Sequence, residues 1–313
     1  MCLMGIDIGT TGCKVCVFTR EGRTVASAYK EYPLLHPQLN WSEENPDYVW
    51  ARVVESIREA IATRKVQAEE VRALSLSVQG EAFMPVDTQR RWLYPCITTW
   101  DHRAEAQCRS FLRRFGKRRI STITGLRPMS TYPLFKILWL KEKKPDIYHK
   151  TWKFLFWEDY AIAKLSGTPA IDHSLASKTM LYDLKRGTWS GEILEAADID
   201  LDLLSEPYPS GTPVGEITQE ASEETGLARG TTIVAGGHDQ ACGALGVGAA
   251  RKGLTYLATG TVEAIAVVLD RPILNGGSIN SGYENYRHVV SGRYLLIGGN
   301  PSAGVVLRWF RDC

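Results

Sequence analysis

The run Leu3-Met4-Gly5-Ile6-Asp7-Ile8-Gly9-Thr10-Thr11-Gly12-Cys13-Lys14-Val15-Cys16-Val17 decides how the rest of the chain is read. Leu3 to Ile8 is a short apolar run that stops at Gly9-Thr10-Thr11-Gly12. Lys14 to Thr19 resumes with Val15 and Val17 alternating, and Glu21-Gly22 turns the chain into Thr24 to Lys30. This spacing predicts a three-stranded antiparallel meander with a Gly/Thr loop at its first turn. Glycines there let backbone N–H groups approach phosphate oxygens, threonine hydroxyls add donors and Lys14 adds charge. The carboxylate of Asp7 is placed to hold a hydrated Mg²⁺. The Gly-Lys-Ser/Thr spacing of a Walker loop is missing, and a hairpin that simply needs Gly and Thr reads equally well.

Working outward, Asn45 and Pro46 start a helix whose Val49, Val53, Ile57 and Ile61 form one buried stripe. Leu74, Leu76 and Val78 then alternate with serines as a strand does, ending at Gln79-Gly80-Glu81. Helical stretches are expected near Arg103–Phe115, Pro133–Lys143 and Glu158–Leu165. A strand returns at Thr232–Gly236, followed by a small-residue helix over Gln240–Ala249 and strands near Leu254–Ala258 and Val262–Leu269. Ala258-Thr259-Gly260-Thr261 repeats the first Gly-Thr turn, which reads as a weak internal duplication beginning near residue 240.

Composition narrows the function classes. The 313 residues suggest about two domains. A formal net charge of +2 gives no global field for nucleic acid or an acidic membrane. Seven cysteines, an odd number, point to reduced thiols in the cytoplasm. Asp7 falls where a signal peptide needs its apolar segment. Cys13 and Cys16 lie three apart on a strand, hence on opposite faces, with no second pair for zinc. Arg113, Arg114, Lys117, Arg118 and Arg119 read as a solvated helix end.

Three further clusters carry chemistry. Gly236-Gly237-His238-Asp239-Gln240 follows a strand and opens a helix, where Asp239 reads either as a general base or as a helix cap. The Gly260-Thr261 turn, paired with the first, is suited to gripping phosphates. Gln79-Gly80-Glu81 and Trp100-Asp101-His102-Arg103 bring amide, carboxylate and guanidinium groups that bond vicinal hydroxyls, or else ordinary surface ion pairs.

In this order, these features resemble the FGGY carbohydrate kinases, the group containing glycerol, xylulose and gluconate kinases. The resemblance rests on Gly5–Thr11, Trp100–Arg103, Thr124-Gly125-Leu126 leading to Lys136–Leu140, Glu158-Asp159-Tyr160, Ile171-Asp172 with Ser174–Ser177, and Gly236–Gln240 with Gly246-Val247-Gly248. It implies an α/β fold of two actin-like (ribonuclease H-like) domains closing on ATP and a sugar. Residues 1–240 would form the N-terminal sugar-binding domain and 241–313 the beginning of the C-terminal nucleotide-binding one. By that similarity Asp239 is the catalytic base, and Asp7 and Asp239 hold Mg²⁺. Asp7, Gly9, Thr10, Thr11 and Lys14 form the first phosphate motif, Gly260 and Thr261 the second. Gln79, Glu81, Asp101, Arg103 and Gln240 belong to the sugar site. The implied activity is in-line phosphorylation of a hydroxyl of a small sugar, polyol or sugar acid, with ketose or gluconate favoured over glycerol. The expected partner is that small molecule, with neither nucleic acid nor membrane, and a homodimer left open. Gly12 stands where many relatives carry serine, Gly80 where glycerol kinases carry arginine, and Thr131 replaces their substrate-lining tyrosine. The family's adenine-binding segment lies beyond Cys313, so a C-terminally truncated chain is expected. The alternative function is a non-catalytic sugar-binding fragment or pseudokinase. An actin-like ATPase or chaperone would share the loops but leaves Trp100–Arg103 and Gly236–Gln240 unexplained.

Overall fold

The computed structural model describes residues 1–62, 66–259, 263–274, 282–300 and 310–311. Its first three strands, β1 (Cys2–Ile8), β2 (Gly12–Thr19) and β3 (Thr24–Glu31), form the expected antiparallel meander. Alternate residues Cys2, Met4, Ile6 and Ile8 of β1 are buried, the signature of a strand with one packed face. Helix α1 (Pro46–Ile61) then crosses over that face. Asn45 Oδ1 accepts a hydrogen bond from the Tyr48 amide at 3.1 Å, and Pro46 sits where no backbone donor is needed. Val49, Val53 and Ile57 bury completely, each stabilising the packing by about 1.5–3 kcal/mol, while Ile61 is half-buried.

Strand β4 (Val71–Val78), reached through α1, pairs parallel to β1. Two later strands complete the sheet, β5 (Pro213–Glu216) and β6 (Thr232–His238), giving the order β5-β6-β4-β1-β2-β3. Between β4 and β5 come the helices Glu105–Phe115, Pro133–Lys143 and Trp157–Ser166, close to expectation. Sequence periodicity did not mark a smaller sheet of Glu43–Glu44, Cys96–Ile97, Phe83–Val86 and Lys153–Phe156.

Helix α2 (Asp239–Gly246) leads into a second, wholly antiparallel sheet: β7 (Thr255–Thr259), β8 (Glu263–Leu269), β9 (Glu284–Arg287) and β10 (Tyr294–Asn300), in the order β7-β8-β10-β9. The order β7-β8-β10 repeats β1-β2-β3, with β9 added at the edge. Among the described residues its core is separate and small: Ala241, Ala244, Ala249, Ala266, Val268, Tyr286 and Leu295. Strand β9 docks on the first unit, the Asn285 amide donating to Gly125 O at 2.8 Å and the Arg287 amide to Ser177 Oγ at 3.0 Å.

Candidate functional site

The parallel strands set the site. Ile8 is in register with Val78, and Val78 with His238, so β1, β4 and β6 end together. The Gly9–Gly12 turn, Gln79–Glu81 and Asp239–Gln240 therefore leave the sheet at one edge, where open α/β sheets bind ligands. Asp7 Oδ1 accepts from Ser77 Oγ at 2.6 Å. Burial pushes the Asp7 carboxyl up, against the Ser77 bond and the Lys14 charge. Asp239 is the first residue of α2 rather than its cap. Burial pushes its carboxyl up too; His238 opposes this, while the charges of Asp7 and Glu81 add to it. Three carboxylates thus converge within electrostatic reach. His238 Nε2 lies 3.4 Å from Asp239 Oδ1, and burial drives this imidazole down to about 4, so it is neutral at neutral pH.

The phosphate-type turn is tightly held. Gly9 N donates to Gly12 O at 3.0 Å, and the Tyr32 hydroxyl donates to Gly9 O. Gln79 accepts from Thr10 Oγ1 at 3.3 Å and donates to Gly9 O at 3.3 Å and to Glu44 at 2.8 Å. The other Glu44 oxygen accepts from Trp157 Nε1 at 2.8 Å, and burial pushes this carboxyl up to about 7.

Asp239 is positioned from behind. Glu158 accepts from the Asp172 amide and the Gly236 amide, both at 2.8 Å. Asp172 accepts from Ser174 Oγ at 3.0 Å, whose oxygen accepts from the His238 amide at 2.9 Å. The strand shifts register between Val234 and Gly237, bringing it so close to β4 that a Cβ on Gly236 would lie 1.7 Å from Leu76 O. Only glycine fits there.

On the cavity side, Lys178 Nζ lies 3.1 Å from Glu81 and 3.2 Å from Glu284 of β9. The Tyr132 hydroxyl donates to Glu284 at 2.7 Å. Burial alone would lower the Lys178 ammonium, but Tyr132, Glu81 and Glu284 outweigh it and hold the group well above its usual range. Lys136, fully buried and pushed down to about 8 by burial, donates to Thr98 O at 2.7 Å and Glu81 O at 3.3 Å. A cavity of about 280 Å³ opens beside Lys178 and Glu284, with Trp100 and Arg127 in its wall.

Residues 2–246 match the FGGY family of carbohydrate kinases, N-terminal domain. The chain belongs to this family. The FGGY chain is 29% identical over 309 residues to the xylulose kinase of Bacillus subtilis (strain 168), covering 99% of this chain and 61% of that relative. It is 29% identical over 313 residues to the gluconokinase of the same strain, covering 99% of this chain and 59% of that relative. The solved structure of a ligand-bound xylulose kinase from Lactobacillus acidophilus superposes with a TM-score of 0.90 at 27% identity, covering 99% of this chain and 62% of that one. The gluconate kinase from Lactobacillus acidophilus gives 0.90 at 27% identity, covering 98% and 61%. The fold is the actin-like ATPase fold of these kinases. The chain spans about 60% of the length of the curated relatives it matches.

The FGGY chain's departures have local causes. A Cβ on Gly12 would lie 2.7 Å from both Lys30 O and the Tyr29 hydroxyl oxygen, so Tyr29 takes the space of a serine. A Cβ on Gly80 would lie 2.5 Å from His238 Nε2, so the imidazole stands where an arginine stem would begin. Tyr132, the neighbour of Thr131, reaches the Glu284 cluster.

Three residues expected in the sugar site have their polar groups bonded within the protein. Gln79 is spent on the turn and Glu44. Asp101 accepts from the Ser42 amide at 2.7 Å, from the Arg103 amide at 2.9 Å and from the Arg103 guanidinium at 2.8 and 2.7 Å. Arg103 also pairs with Glu43 at 2.8 Å and lies 3.8 Å from the Trp41 ring centroid, its side chain 0% exposed. With every polar group paired internally, Asp101 and Arg103 brace the wall. Glu81, Asp239 and Gln240 stay together at the sheet edge with Asp7, Gly9, Thr10, Thr11 and Lys14. Gly260 and Thr261 lie outside the described residues.

Lys178, Glu284 and Trp100 join the candidate site without having been singled out as site residues in the sequence. A lone lysine in the otherwise small and apolar Leu175–Leu181 stretch is the signal that could have found the first. Nothing local marks Glu284, because its partners lie more than a hundred positions away. Among the described residues no helix is long and apolar enough to cross a membrane.

Proposed function

We propose that this chain carries the sugar-binding side of an ATP-dependent kinase acting on a hydroxyl of a small sugar, polyol or sugar acid, of ketose or gluconate type rather than glycerol. The observation that carries this reading is the meeting of Asp7, Asp239 and Glu81 with the Gly9–Gly12 turn at one sheet edge. Relatives named xylulose kinase and gluconokinase support it. The ring of His238 over Gly80 argues against the glycerol class.

Asp239 is the base: it takes the proton of the substrate hydroxyl as that oxygen attacks, and its upward shift strengthens it for the task. Glu81 and Gln240 orient the sugar's other hydroxyls. The Thr10 and Thr11 segment of the turn and Lys14 face the phosphate charge, while the Gly9 amide closes the turn on Gly12 O. Asp7 and Asp239 are hard oxygen donors whose mutual repulsion a divalent cation relieves, a set that suits Mg²⁺ with water completing its shell. ATP and Mg²⁺ supply the transferable phosphoryl group and the neutralisation of its charge. Gly260 and Thr261 are assigned the second phosphate turn. We place the boundary between sugar side and nucleotide side at residue 240, supported by the two separate cores.

Asp239→Asn tests the assignment. Phosphoryl transfer should fall by about 10²–10⁴-fold, while sugar still raises the melting temperature as in wild type. Unchanged turnover would remove Asp239 as the base.

A further inference from the structure

We propose that this site selects an uncharged polyhydroxy substrate over a sugar acid, and that Glu284 enforces the choice by claiming the Lys178 ammonium. The inference rests on the sugar-kinase reading and names the substrate class of that same site.

Lys178 is the cation in the wall of the cavity nearest to Glu81, and its charge is already committed. It lies 3.1 Å from one carboxylate and 3.2 Å from another, its side chain only 9% exposed. Glu284 is fixed in that position by the Tyr132 hydroxyl at 2.7 Å and the Arg127 amide at 3.3 Å. An ammonium shared by two carboxylates leaves the trio with a net negative charge. Asp7 and Asp239 stand at the same edge, with Lys14 opposite Asp7 across the hairpin. With Glu263, which also lines the cavity, five carboxylates gather around this edge, against the ammonium groups of Lys178, Lys14 and the fully buried Lys136, which is spent on Thr98 O and Glu81 O. A hydroxyl donates to any of these oxygens without adding charge, since each carboxylate keeps unused acceptor positions. A carboxylate-bearing sugar brings repulsion that no uncommitted ammonium in this set offsets. The half-exposed Trp100 in the same wall offers an apolar face to the C–H side of a sugar ring or chain. Arg127, exposed at the cavity wall, is the one guanidinium there among the described residues that could read a carboxylate instead.

The experiment is thermal unfolding of the whole chain as wild type, Glu284→Gln and Arg127→Ala, with D-xylulose and D-gluconate titrated separately. Wild type should shift with D-xylulose and not with D-gluconate. Glu284→Gln keeps an acceptor for Tyr132 and leaves the ammonium to Glu81 alone, which cancels the trio's net negative charge, and it should bind D-gluconate at least about fivefold more tightly than wild type does. Arg127→Ala should leave the discrimination unchanged. Wild type binding D-gluconate as tightly as D-xylulose overturns the inference and leaves the kinase reading standing. So does D-gluconate binding that vanishes in Arg127→Ala. Should Glu284→Gln not fold, the wild-type comparison of the two sugars still decides. Response to no sugar at all takes down the kinase reading, and this inference with it.

Discussion

Glu81 occupies backbone space that side chains ordinarily avoid. Its φ of 56° lies in the left-handed region, which costs a non-glycine residue about 1–2 kcal/mol. Lys136 on its carbonyl and Lys178 on its carboxylate hold it there. Glu81→Gly relieves the backbone and removes the carboxylate, so the melting temperature in the absence of sugar should hold or rise while the sugar-induced shift disappears. Scanning calorimetry with and without ligand checks both halves; a retained shift would show that the carboxylate is not a sugar contact. At this scale the sequence marks candidates more readily than it explains their surroundings. Asp7, Asp239 and Glu81 stand out as acids next to glycine turns or strand ends. That Gly80 exists to admit the His238 ring, and Gly12 to admit Tyr29, depends on packing across the fold and leaves no local trace.

Periodicity made the elements legible where one face is buried and the other is not. Helix α1 and strands β1–β3 follow from it directly. Phe83–Val86, buried at every position, shows no alternation and so gave no strand signal. The helix Trp157–Ser166 opens on two acids, Glu158 and Asp159, that are both 0% exposed, a burial that helical periodicity alone does not report. Asp159 accepts from the Phe156 amide and from Ser205 Oγ, and burial pushes its carboxyl from 3.8 to about 8. Between those values the folded chain keeps a proton that the unfolded chain has released. Stability must therefore fall as pH rises through that window. Melting temperatures from pH 5 to 9 should decline, and Asp159→Asn should flatten the decline; an unchanged slope would assign it to other groups. Glu158 and Asp172 contribute in the same direction through their own burial.

Across the molecule, the six-stranded sheet and the second sheet meet where β9 lies on the loop at Gly125. That glycine has a φ of 78°, and a Cβ there would come within 2.6 Å of both Asn285 O and Leu184 Cδ2. Gly125→Ala should loosen the docking by about 1–3 kcal/mol. Amide exchange should then quicken across 263–269 and 294–299 while 71–78 keeps its protection; uniform acceleration would mean instead that the first unit itself had been damaged. The repeated antiparallel strand pair was readable, β7 and β8 pairing as β1 and β2 do, because strand periodicity is local. The edge position of β9 was not, since its pairing with β10 and its seat on the first unit are both set by distant residues.

Among the described residues the second core holds seven buried residues, four of them alanines. So little interdigitation gives the second sheet a low stiffness against the first, like a door hung on one narrow hinge at β9. The width of the cleft is then governed less by the protein's own rigidity than by what lies between its walls. Lys178 already holds Glu81 and Glu284 to one ammonium, so a ligand settling there need do little mechanical work to keep the walls together.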